Sequence, residues 1–189
     1  MAHPARPLLR KASKLLNQLF KICWLVPADV TADERIVRAI YSPYHVDKNN
    51  RLKHQAYDPT PKTDEISAMR LEHMGSPLCR SKAKEFENPT KKKEYRGLAL
   101  LKAGRVASNG MQIVDSRKHF CGHVDIRLMM QELIDREGGE PLPPETGKRL
   151  KDLKDCLLKA SIFVSDTQPA LKNKQSQQFL SKVDSQNPL

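Results

Sequence analysis

Arg35-Ile36-Val37-Arg38-Ala39-Ile40-Tyr41 is the stretch from which the fold is read. Its residues are β-branched or aromatic at several positions, apolar and polar roughly alternate, and Ser42-Pro43 stops the run. A pleated strand suits that pattern, because successive side chains leave it on opposite faces. Working outward, Asp47-Lys48-Asn49-Asn50 has turn chemistry, and Arg51-Leu52-Lys53-His54-Gln55-Ala56-Tyr57 alternates again, predicting a second strand before Asp58-Pro59-Thr60-Pro61. Ile66-Ser67-Ala68-Met69-Arg70-Leu71 predicts a third. Residues 76–94, from Ser76-Pro77 through Lys91-Lys92-Lys93, predict a short helix and a basic loop. Gly97 to Val114 reads as two strands joined at Ser108-Asn109-Gly110, since Asn-Gly accepts the backbone angles of a tight hairpin. Short strands separated by turn residues, without intervening helices, predict a small, mostly antiparallel sheet in an α+β domain.

Helices are expected on both flanks of that sheet. Leu8, Leu9, Leu15, Leu16, Leu19, Phe20, Cys23 and Trp24 recur at helical spacing, Arg10, Lys11, Lys14 and Lys21 occupy the polar face, and Pro27 ends the pattern. Such a stripe covers the domain's own sheet, or docks a partner, a nucleic acid or an anionic membrane surface. Ile126 to Ile134 has helical spacing and is stopped by Gly138-Gly139, with Pro141, Pro143 and Pro144 following as a linker. A second C-terminal helix is expected from Glu145 to about Ile162, with Leu150, Leu153, Leu157 and Leu158 on one face. The organisation expected is a basic amphipathic helix over 1–27, an α+β core over 28–137, a linker over 138–144, a helix over 145–164 and a disordered tail over 165–189, where Gln, Ser, Asn and Lys dominate.

At 189 residues and 39% hydrophobic, the chain holds one small domain with appendages, because an average globular chain is roughly 45–50% apolar. No apolar run approaches the ~18–20 residues that span a bilayer. Lys and Arg number 33 against 22 Asp and Glu, a net charge of +11 that falls as +5 on residues 1–26, +5 on 27–125 and +1 on 126–189. Clustered basic side chains release counterions from phosphates, so nucleic acid or an acidic protein surface is the expected partner, against the simpler role of a solvated surface. Cys23, Cys79, Cys121 and Cys156 form no C-x-x-C pair, and the N-terminal apolar residues are interrupted by lysines, so a cytoplasmic chain with reduced thiols is expected.

Chemistry concentrates in His119-Phe120-Cys121-Gly122-His123-Val124-Asp125. On an extended strand His119, Cys121, His123 and Asp125 share a face, about 6.5–7 Å apart, and imidazole, thiolate and carboxylate are ligands for zinc or another divalent metal. With an open position such a metal would acidify a water for hydrolysis. A Cys–His nucleophile pair is a second reading of the same residues. In a third, purely structural one, Asp125 caps a helix beginning at Ile126 and a histidine bonds to backbone. His45, His54, His73 and Cys79 are candidate remote ligands. For nucleic acid the candidates are Arg80, Lys82, Lys84, Lys91, Lys92, Lys93 and Arg96, with Tyr95 interleaved for stacking. A G-x-G-x-x-G loop, a P-loop, a G-x-S-x-G elbow and zinc-finger spacings are all missing, which sets aside ATPase, dehydrogenase and α/β-hydrolase readings.

The order Arg38-Ala39-Ile40, Ser42-Pro43, a hairpin, Ala56-Tyr57, Ile66-Ser67 with Arg70, Gly97 and His123-Val124-Asp125-Ile126 resembles small uncharacterised bacterial proteins of defence or mobile-element neighbourhoods. The resemblance spans residues 35–126 and implies an accessory role beside a nucleic-acid-targeting system, including antiviral defence, and carries over no activity. The function expected is a basic binding or regulatory module, without cofactor, engaging nucleic acid or a nucleic-acid-associated protein. The alternative is a metal-assisted hydrolase or nuclease centred on His119–Asp125.

Overall fold

A computed structural model describes residues 26–117, 119–135 and 141–166. Six strands, β1 (Arg35–Ser42), β2 (Glu65–Arg70), β3 (Glu94–Lys102), β4 (Gln112–Asp115), β5 (His123–Arg127) and β6 (Ile162–Ser165), form one sheet in the order β4-β5-β2-β1-β3-β6. Every pairing is antiparallel. The helices are α1 (Leu71–Met74), α2 (Ser76–Glu85), α3 (Ala103–Ala107), α4 (Gln131–Ile134) and α5 (Pro144–Ala160).

Alternation along β1 makes two cores. Ile36 and Ile40 join Ile66, Leu101, Val124 and Ile126 on one face, where α5 brings Leu150, Leu153, Leu157 and Leu158 against them. Val37 and Tyr41 join Met69, Tyr95 and Leu98 on the other, packed with Met74, Cys79 and Ala83 of α1 and α2. Each large aliphatic side chain fully removed from water contributes ~1.5–3 kcal/mol. At one end of the sheet Glu34 and Arg70, both almost wholly buried, pair through Arg70 Nη2 and Glu34 Oε1 at 2.7 Å and through Nε and Oε2 at 2.8 Å. Arg70 also donates to the carbonyls of Pro27 and Asp29.

The antiparallel α+β expectation holds, and so does the strand at 35–41; the strand expected over 66–71 ends at Arg70, the short helix expected within 76–94 is Ser76–Glu85, and the helix expected from Glu145 to about Ile162 stops at Ala160. Others are corrected. Gly97 to Val114 is not a hairpin, because β3 pairs with β1 and β6 whereas β4 pairs with β5. The Ser108-Asn109-Gly110 turn instead ends α3. Ser108 N–H bonds the Gly104 carbonyl at 2.9 Å and Asn109 Nδ2 the Arg105 carbonyl at 2.7 Å, satisfying helix-end acceptors. Residues 51–57 are not a strand either. Leu52 makes an isolated bridge with Val46, and His54–Tyr57 form a 3-10 turn whose backbone bonds stay local, Ala56 N–H to the Lys53 carbonyl at 2.9 Å and Asp58 N–H to the Gln55 carbonyl at 3.3 Å, where a strand would bond a neighbouring strand. The helix expected from Ile126 begins only at Gln131, because β5 runs on to Arg127 with Ile126 between Ile66 and Ile113.

A sixth strand follows α5 directly, so the sheet draws on chain beyond residue 137. Its approach explains Gly97: a Cβ there would lie 2.1 Å from the Val164 carbonyl oxygen, and φ is +151°. The disordered tail expected over 165–189 is corrected at its start, where Ser165 belongs to β6; the rest of it from 167, and the expected N-terminal helix up to residue 25, lie outside the described residues. Among those described, no helix is long and apolar enough to cross a membrane.

Candidate functional site

β1 and β2 pair only at Ile36↔Arg70 and Val37↔Met69. Beyond those residues the strands part, and Arg38 reaches into the gap, donating from Nη1 to the Ser67 carbonyl at 2.8 Å and from Nε to the Ala56 carbonyl. The parting opens a cleft of about 350 Å³ between Ala39 and Tyr41 of β1, Ser67 and Met69 of β2, and Ala83 and Phe86 at the end of α2. Among the described residues, the cations lining it are Arg38, Lys82 and Lys93, the imidazoles are His45, His119 and His123, and no carboxylate lines it. Lys93 Nζ sits 4.2 Å from the Tyr41 ring centre, Lys82 Nζ 5.7 Å from that of Phe120, and Lys82 also pairs with Glu85 at 2.8 Å. Tyr41 is held by its hydroxyl, which donates to the Ala83 carbonyl at 2.8 Å.

The positive field acts on the groups inside. Burial first, and then the charges of Arg38 and Lys93, push the His45 imidazole down to about 4, so it is neutral at physiological pH. Its Nδ1 accepts from the Tyr41 N–H at 3.3 Å. Burial pushes the Tyr41 phenol up to about 12. Lys93 is lowered by burial and by Arg38 and Lys91. A bound anion would favour the protonated forms of His45 and Lys93 and so relieve both lowered values.

His119 and His123 line one end of the cleft and Asp125 lies beside them, bordering a second pocket with Asp115 and Arg117, the ligand atoms of the three within 4.8 Å of one another. Strand alternation accounts for only half of this. His123 and Asp125 do sit two apart on β5, cross-strand from Met69 and Ser67. His119 arrives through a turn instead, its ring centre 4.8 Å from that of His123. That turn depends on Gly122, where φ is +78° and a Cβ would meet Met74 Cγ at 2.6 Å. Asp125 lies mid-strand and caps no helix. Cys121 is disulfide-bonded, so the expectation of reduced thiols fails there and no thiolate is offered to a metal or a substrate. Of the candidate remote ligands, His45 faces the cleft, His54 pairs with Asp155 at 3.0 Å, His73 lies 3.7 Å from Glu34, and Cys79 is on the buried face of α2, in the core.

The seven basic candidates separate. Lys82 and Lys93 line the cleft, while Lys84, Lys91 and Lys92 are exposed nearby in sequence. Arg80 is taken up by Asp166 at 2.7 Å and Arg96 by Glu94 at 2.7 Å. Tyr95 offers no stacking surface: it is 4% exposed, with its hydroxyl donating to Asp166 at 2.9 Å. Sequence reasoning missed Arg38, whose signal was a permanent charge amid Ile36, Val37, Ala39 and Ile40, and it missed Phe86, 54% exposed at the cleft. No family model, curated protein or solved structure matches the chain.

Proposed function

We propose that the protein is a basic binding module for single-stranded nucleic acid, holding phosphate in the cleft between β1 and β2 with Arg38, Lys82 and Lys93. The observation that carries this reading is the lining itself, in which every permanent charge among the described residues is positive. Arg38 spends Nε and Nη1 on carbonyls, and Nη2 has no partner among the described residues, which leaves a donor for a phosphate oxygen. The rings of Phe86 and Phe120 on the same lining give a base something to stack on, each stacked base being worth ~1–3 kcal/mol. A cleft of about 350 Å³ takes a splayed nucleotide and not a duplex groove contact. Under this reading, the accessory role implied by the resemblance would be exercised through bound nucleic acid.

Fluorescence anisotropy with single-stranded RNA and DNA oligonucleotides tests it. Wild-type affinity is expected to fall steeply with salt. The double variant Lys82→Glu, Lys93→Glu is expected to bind more weakly, with the slope of log K against log salt shallower by ~0.7 for each phosphate no longer neutralised. No binding to any oligonucleotide at low salt would overturn the proposal in favour of a protein partner. The hydrolase reading turns on whether the histidine–aspartate cluster holds a metal.

A further inference from the structure

We propose that His119, His123 and Asp125 bind a divalent transition-metal ion of the zinc class, at a site opening on the cleft. The first ground is Asp125. Its side chain is 8% exposed, and its one polar contact among the described residues is His123 Nε2, at 4.0 Å from Oδ1. A carboxylate largely withdrawn from water without a hydrogen bond is costly unless a cation completes it. The second ground is Ser116. Its Oγ lies 2.6 Å from His123 Nδ1, and when Nδ1–H donates to that oxygen the lone pair of Nε2 is left facing Asp125. Metal-binding histidines are oriented in this way, through the ring nitrogen that does not bind the metal.

Distance fits a site that closes on its ion. Zinc takes nitrogen and oxygen ligands at ~2.0–2.2 Å, so two ligands on one ion lie no more than ~4.2 Å apart. The 4.0 Å between His123 and Asp125 falls inside that limit, and the 4.8 Å span of the trio needs a short swing of His119, which is exposed on its turn. Because His119 and His123 also line the cleft, an ion here would face whatever the cleft binds. Three protein ligands with one position left open is the arrangement of catalytic zinc, where a water or a phosphate oxygen completes the shell. The site stands whether or not the cleft takes nucleic acid.

The test is calorimetric titration of the full, metal-stripped chain with zinc chloride in the absence of nucleic acid, with cobalt(II) absorption as a second readout of coordination. One ion per chain is expected. His119→Ala, an exposed substitution that leaves the fold alone, is expected to weaken affinity at least about tenfold, and Ser116→Ala by about 10–100-fold through the loss of the ring's orienting partner. His54→Ala, which removes the histidine of the His54–Asp155 pair elsewhere, is expected to change nothing. Binding of less than one ion per chain, or zinc affinity unmoved by His119→Ala, would overturn the proposal.

Discussion

Arg38 is a charge placed where a strand needs an apolar residue, and its surroundings show what it does there: it bonds carbonyls on both sides of a split in the sheet. Removing it leaves two carbonyls without their donor, so Arg38→Gln is expected to lower stability by about 1–3 kcal/mol as well as to weaken anion binding. His45 beside it supplies a pH dependence. Its folded-state value of about 4 lies below the unfolded value of 6.5, so on acidification the unfolded chain takes up the proton first. The stability tied to a neutral His45 is therefore complete above pH ~6.5 and is lost as pH falls towards ~4, at no more than about 1.4 kcal/mol per pH unit. Melting temperatures between pH 7 and 4.5 should decline for the wild type and decline less for His45→Gln. Glu34 acts at lower pH: burial raises its carboxyl, but the hydrogen bond and charge of Arg70 outweigh burial and hold it below the usual carboxylate range. Glu34→Gln leaves Arg70 buried without its countercharge and is expected to cost about 3–5 kcal/mol by urea unfolding.

Elements differ in how far their own sequence announces them. β1, α2 and α5 are legible because each carries its period within one short stretch, Ile36 and Ile40 against Val37 and Tyr41, or Leu150, Leu153 and Leu157 along one helical stripe. Pairing is not local, which is why Gly97 to Val114 misleads: Asn109-Gly110 ends a helix as readily as it turns a hairpin, and nothing in β4 says that β5 is its neighbour. β6 is hidden for a related reason, since Ile162-Phe163-Val164 extends the apolar pattern of the helix before it. The site is half legible. His123 and Asp125 share a face by strand alternation, but His119 is brought in by the Gly122 turn, and Cys121 drops out through a disulfide. Gly97→Ala is expected to push β6 off the edge of β3, since the added carbon would overlap the Val164 carbonyl, with a loss of about 1–3 kcal/mol or more. Amide exchange should then accelerate along residues 162–165 and stay slow along β2 and β5.

Across the whole molecule, the net charge of +11 gives a long-range attraction for polyanions that is indifferent to where they land, while the cleft provides a place to land. Anisotropy alone registers both. The two separate at His45, which lies inside the cleft and is held neutral by burial and by the cations that would receive a phosphate. An anion seated against Arg38 and Lys93 favours the imidazolium, so the His45 pKa must rise from about 4 on binding, and affinity must tighten as pH falls through the new value. The decisive measurement is the NMR titration of the His45 ring with and without a saturating single-stranded oligonucleotide. Phosphate held in the cleft predicts an upward displacement of that pKa. An oligonucleotide that binds while the His45 titration stays where it was would place the contact elsewhere on the basic surface and contradict the cleft as the binding site.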